Sequence, residues 1–151
     1  MTLQPFAVLL VGAALGSKRG ALAILLYIFQ GASGLPVFAN PPFGGLAYFA
    51  GPTTGYLLGF LPAAYIVGLL AERKWDRRFL TTAAAMALGQ ITILVCGFAW
   101  MAAGLGVKAA FFIGVAPFIA GDVLKIALAA VALPGAWRIL RSIEAGPTER
   151  V

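Results

Sequence analysis

Apolar residues run along this chain in five long stretches, over about 4–16, 20–33, 52–71, 79–103 and 109–137, parted by short polar or Gly/Pro-rich connectors. Runs of this length predict helices of a membrane bundle, and they leave no room for a separate soluble domain. The expected architecture is an all-α integral membrane fold, a polytopic bundle of five helices forming a single domain over 1–151. At about 1.5 Å per residue against a hydrocarbon core of about 30 Å, the first run falls short of spanning, and the second is short as well. Either the chain begins inside a longer natural sequence, or these helices rest against protein and leave irregular backbone at membrane depth.

Residues 31–55, GASGLPVFANPPFGGLAYFAGPTTG, supply that irregular backbone. Their prolines and the Gly44–Gly45 pair rule out one continuous helix. The stretch carries no charge and holds Leu35, Val37, Phe38, Phe43, Tyr48 and Phe49. Backbone of this kind is tolerated at membrane depth where protein or a cavity satisfies it. The expectation is a buried, ordered lid over a cavity open to the outside; the rival is a loop resting in the membrane interface on its aromatics. Gly51, Gly55, Gly59 and Ala63 recur every fourth residue, as do Gly12 and Gly16, which predicts close helix packing within the chain.

Composition strengthens the membrane reading: 62% of residues are hydrophobic and 11% charged, against roughly half and a quarter in soluble domains. The net charge of +6 invites a nucleic-acid reading, but no basic surface is gathered on a soluble face. Lys18 and Arg19 lie in one connector, Arg73, Lys74, Arg77 and Arg78 in another, and Arg138, Arg141 and Arg150 in the tail. These connectors alternate with nearly uncharged ones, so the positive-inside rule places the C-terminus in the cytoplasm and the N-terminus outside. The first run lacks a basic n-region and is followed by Lys18–Arg19, which argues against a cleaved signal peptide. Histidine is absent, removing imidazole bases and the commonest metal ligand. The lone Cys96 reads as a small buried hydrophobe. No paired carboxylates and no P-loop occur, so neither catalysis nor ATP hydrolysis has residues to stand on.

One chemical feature stands out. FIAGDVLKIALAAVAL, residues 118–133, sets Asp122 and Lys125 into an otherwise apolar run. Spaced by three, they share a helix face. Each costs about 2.5–3.5 kcal/mol at mid-bilayer on insertion scales, and about a dozen residues on either side put both beyond reach of snorkelling. A structural ion pair would reduce the cost; a binding site for a polar solute would use it, since the carboxylate accepts N–H groups and the ammonium offers three donors. Asn40, read as a lid residue or a turn former before Pro41, and Tyr48 and Tyr56, read as ring-stacking groups or interfacial aromatics, are weaker candidates. Gln4, Gln30 and Gln90 are expected to bond neighbouring helices.

The strings TLQPFAVLLVGAALGSKRGALAILLYIFQGASGLPVFA, GGLAYFAGPTTGYLLGFLPAAYIVGLLAER and FIAGDVLKIALAA together resemble the BioY family, the biotin-specific S components of energy-coupling-factor (ECF) transporters, over residues 2 to about 141. The resemblance implies a six-helix protein of the cell membrane that captures biotin in a pocket under the 34–51 loop, needs no cofactor, and works with a coupling transmembrane subunit and ATPase subunits. Asp122 and Lys125 match the family's GD..K motif, and Gly44, Gly45, Gly51, Pro52 and Tyr56 match its lid. Asn40 or Phe43 stands where family members present a ligand-facing side chain, and Leu57 stands where some carry a charge. The family's first helix has no counterpart here, which is expected to be a truncation or a misplaced start. Two alternatives stay open: an S component for another vitamin such as thiamin or riboflavin, and a membrane bundle without transport function.

Overall fold

Pro5 starts the first helix, α1 (Gln4–Leu15), in the first turn, where its missing N–H costs nothing. Gly16 then turns the chain in a single residue at φ +82°, a conformation that L side chains resist, and α2 (Ser17–Ala32) begins at once. The computed structural model describes residues 3–39 and 43–144, and Asn40 and Arg150 lie outside them. Lys18 and Arg19, expected in a connector, belong to α2. The helix starts early because the next one, α3 (Thr54–Glu72), ends beside it: Glu72 Oε1 accepts the Ser17 N–H at 2.7 Å and the Ser17 hydroxyl at 2.8 Å. A carboxylate at a helix N-terminus satisfies otherwise unpaired donors and opposes the helix dipole favourably.

The remaining runs become α4 (Phe79–Leu105) and a pair, α5 (Val107–Gly114) and α6 (Ala116–Glu144). The described residues thus form six α-helices where five runs were counted, because the last run is divided at Val115 (φ −118°, ψ −57°). Pro117 explains the break: it has no N–H to donate and its ring collides with the carbonyl four residues earlier. The division also moves the charged pair. Asp122 lies about two turns into α6 rather than deep inside one long helix. At its far end α6 carries Arg138 and Arg141, so the basic tail is helical through Glu144. Helices α3, α4 and α6 are long and apolar enough to cross a membrane, whereas α1 is not.

Helix α3 is the central element, packed most extensively along α4 and also against α1 and α2. The four-residue small-side-chain spacing accounts for this. A Cβ on Gly55 would fall 2.5 Å from the Cys96 carbonyl oxygen, and one on Gly59 2.9 Å from Cys96 Cβ, so α4 lies directly on the glycine face. On the other side Gly12 sits against the Ala64 backbone and Gly68 against the turn at Gly16. The repeats therefore serve packing within the chain, as expected. At the connector end, the buried Asp76 accepts a hydrogen bond from Trp137 Nε1, and the Arg77 guanidinium lies 3.5 Å over the Trp137 ring. This ties α6 to the link between α3 and α4, a role that the basic run ERKWDRR conceals.

The loop at the opposite end departs from expectation. It is not buried throughout: Leu35, Val37, Phe43 and Leu46 are exposed, while Phe38 and Tyr48 are buried. Phe38 is the anchor. Its ring occupies the space a side chain on Gly31 would need and packs 4.4 Å from Tyr48 and 5.6 Å from Tyr27, centroid to centroid. Phe38 and Tyr48 hold the loop to the bundle, with the partly buried Phe49 packed against both, while Leu35, Val37, Phe43 and Leu46 point outward.

Candidate binding site

A cavity of about 240 Å³ opens among the loop end of α1, the first turns of α3, the middle of α4 and the start of α6. Gln4, Tyr48, Tyr56, Phe60, Gln90 and Phe118 are among its lining residues. Aromatic and aliphatic side chains make most of its walls and two side-chain amides supply polar groups, the usual balance of a small-molecule site. Tyr56 is clamped in place. Its ring rests against Gly97, where a Cβ would come within 2.3 Å, and its hydroxyl donates to the Gly114 carbonyl at 2.6 Å. That carbonyl belongs to the helix break, where the backbone ladder leaves it an available acceptor. Phe118 lies 6.2 Å from the Tyr56 ring on the same wall. Gln4 donates to the Tyr27 hydroxyl, which in turn donates to the Val37 carbonyl at 3.1 Å, linking α1 and α2 to the loop.

Beside the cavity is the charged group. Lys125 Nζ lies 3.1 Å from Asp122 Oδ1, both side chains nearly buried, and Gln90 Nε2 donates to Asp122 Oδ2 at 2.7 Å. Asp122 thus has a partner on each oxygen, one from its own helix and one from α4. Burial of such a pair is tolerable when hydrogen bonds satisfy it in this way. The ammonium keeps donor capacity to spare, since it has three N–H groups and the structure gives it one partner. Among the described residues no group of His, Cys, Asp or Glu comes together that would hold a metal ion.

The residues singled out in the sequence end up in three places. Tyr48 and Tyr56 line the cavity directly, although the Tyr56 hydroxyl is engaged by Gly114. Asp122 and Lys125 stand together next to it, joined to its wall through Gln90. Phe43, Gly44 and Gly45 lie in the loop, outside the cavity wall. Phe43 is exposed with φ +61°, and Gly45, at φ +87°, donates its N–H to the Gly31 carbonyl at 2.6 Å. Gly44 is the tight point, because a Cβ there would fall 2.2 Å from the Leu35 carbonyl oxygen. Gln90, expected only to bond a neighbouring helix, does so and also faces the cavity, a double role that nothing in its immediate sequence announces.

The chain is similar to several known proteins. The model of the BioY family matches residues 1–142. The probable biotin transporter BioY of Pyrococcus horikoshii is 42% identical over 87% of this chain and 76% of its own length. The biotin transporter BioY of Rhodobacter capsulatus is 45% identical over 83% of this chain and 72% of its own, and that of Thermotoga maritima 40% identical over 86% and 76%. In three dimensions the fold resembles a crystal structure of the S-component for biotin from an ECF-type ABC transporter, with a TM-score of 0.78 at 24% identity, over 91% of this chain and 75% of that one. A match across nearly the whole chain, the GD..K helix and the loop included, makes this chain a member of the BioY family.

Proposed function

We propose that this protein is the biotin-binding S subunit of an ECF-type transporter, a multi-pass membrane protein that captures biotin without catalysing a reaction. The observation that carries the reading is family membership over residues 1–142 with relatives named as biotin transporters at 40–45% identity. The site chemistry agrees with it. Biotin has a ureido ring with two N–H donors and a carbonyl, an apolar thioether ring and a carboxylate tail. Aromatic walls from Tyr48, Tyr56 and Phe118 suit the apolar ring. Asp122 retains lone pairs for a ureido N–H, and Lys125 retains donors for a ligand oxygen. Gly44 and Gly45 let the loop close onto α2.

The same reading places the C-terminus and the Lys18/Arg19 and Arg73–Arg78 clusters in the cytoplasm, with the cavity end facing outward. As such a subunit it works with a coupling transmembrane subunit and ATPase subunits, and any ATP hydrolysis belongs to those partners, because this chain has no nucleotide-binding loop. Titration calorimetry on the detergent-purified protein tests the assignment. Saturable heat with biotin, and a weaker response to desthiobiotin or lipoate, is expected. Saturable binding of thiamin with none of biotin would transfer the chain to another vitamin.

A further inference from the structure

Gln90 sits where two constraints meet. The residue is only 5% exposed, yet it lines the cavity, and Asp122 and Lys125 stand behind it. A carboxylate accepts hydrogen bonds and does not donate them, so only the amide NH₂ of Gln90 can face Asp122. Asp122 in turn is held by Lys125 Nζ at 3.1 Å on its other oxygen. The orientation of the amide is therefore fixed by chemistry: Nε2 points to α6 and Oε1 points away from it. Among the described residues no donor bonds to Oε1, and this oxygen is not one of the buried polar atoms closed off without a partner. It is an unpartnered acceptor, not sealed off by its surroundings, on a residue that lines the cavity.

We propose that Gln90 is a specificity-determining residue whose Oε1 accepts one N–H of the bound ligand, with Asp122 and Lys125 holding its amide in the accepting orientation. This rests on the assignment of biotin above, whose ureido ring supplies such donors. The charged pair then acts twice, by contributing its own spare hydrogen-bonding capacity and by orienting Gln90. An isolated glutamine could turn either end of its amide to the ligand and would read donors and acceptors alike. Tethered to a carboxylate it reads donors alone. An inverted amide would confront Asp122 with an oxygen and leave a buried acceptor pair facing each other, which is costly.

The test compares biotin with its two lactam analogues, in which a CH₂ replaces one or the other ureido N–H, on the wild-type chain and on Gln90→Leu. The wild type is expected to prefer biotin over at least one lactam by roughly tenfold or more, the usual scale for removing one partner of a buried hydrogen bond. Gln90→Leu is expected to bind biotin roughly tenfold to hundredfold more weakly and to lose that preference. Unchanged biotin affinity in Gln90→Leu, or a uniform loss that preserves the preference, would overturn the proposal while leaving the biotin assignment intact. No biotin binding by the wild type would overturn both. Should Gln90→Leu fail to fold, the wild type labelled with carbonyl-¹³C glutamine answers instead, with the three resonances assigned through variants at Gln4 and Gln30. The Gln90 signal is expected to shift with biotin and less with one lactam; an unmoved signal overturns the assignment.

Discussion

Replacing Lys125 alone by Met leaves Asp122 as a buried carboxylate whose compensating charge is gone. The two groups are 3.1 Å apart, with side chains only 11% and 6% exposed. At an effective dielectric near 20 their attraction is about 5 kcal/mol before desolvation is counted. Breaking such a pair from one side typically costs about 3–5 kcal/mol. Lys125→Met is therefore expected to lower the melting temperature by roughly 10 °C, at a few degrees per kcal/mol for a chain of this size. The double variant Asp122→Asn, Lys125→Met behaves differently. The asparagine side chain removes the charge but keeps an acceptor oxygen for Gln90 Nε2, while methionine roughly fills the lysine's volume. Its stability is expected to return to within about 1 kcal/mol of wild type, as for buried ion pairs exchanged for groups of similar size. Biotin affinity should nonetheless fall by at least about tenfold, since the ligand loses charged partners and the amide of Gln90 loses its fixed orientation. Thermal unfolding in detergent and equilibrium binding of radiolabelled biotin measure the two effects on the same preparation. A double variant with wild-type stability and wild-type affinity would refute the binding role. A Lys125→Met variant as stable as wild type would refute the energetic reasoning.

Three further outcomes are expected. Gly44→Ala places a Cβ 2.2 Å from the Leu35 carbonyl oxygen, a backbone atom that cannot rotate aside, so the loop should seat poorly and biotin titration should show weakened binding in an intact bundle; normal binding would make the loop a bystander. Tyr56→Phe removes the hydroxyl that bonds Gly114 but keeps the ring on the cavity wall. It should cost about 0.5–1.5 kcal/mol in thermal stability and leave biotin affinity nearly unchanged, whereas a large affinity loss would show that the hydroxyl serves the ligand. Trp137→Phe removes the donor to the buried Asp76 carboxylate and should lower stability by about 1.5–3 kcal/mol, read in the same melting assay.

Helix positions are largely legible in the sequence because hydropathy is a local property, and the chain partitions segment by segment. The runs over 4–16, 52–71 and 79–103 correspond to α1, α3 and α4 with ends moved by one or two residues. The glycine spacing likewise announces close packing, since the absence of a side chain acts wherever a neighbour approaches. Local rules fail where a distant residue sets the outcome. Helix α2 begins at Ser17 because Glu72, far along the chain, receives its first donors. Apolar character predicts a buried loop, yet burial goes to Phe38 and Tyr48, the side chains that find room beside Gly31 and Tyr27. The break before α6 is written in Pro117, but an otherwise continuous apolar run hides it.

At the site, the charged pair follows from the chain alone. Asp122 and Lys125 are three residues apart on one helix, so helical geometry brings them together whatever the rest of the fold does. The motif that marks the family lies in the same short stretch. The partner across the interface comes only from the packing of helices. Gln90 meets Asp122 because α4 and α6 lie side by side at that height, and α4 is held there by the bare glycine face of α3. A lone glutamine in an apolar run has the same local signature whether it caps a neighbour, faces lipid or opens onto a cavity. Its role depends on hydrogen-bond partners supplied by other helices, and helix docking, unlike hydropathy, is a property of the whole bundle.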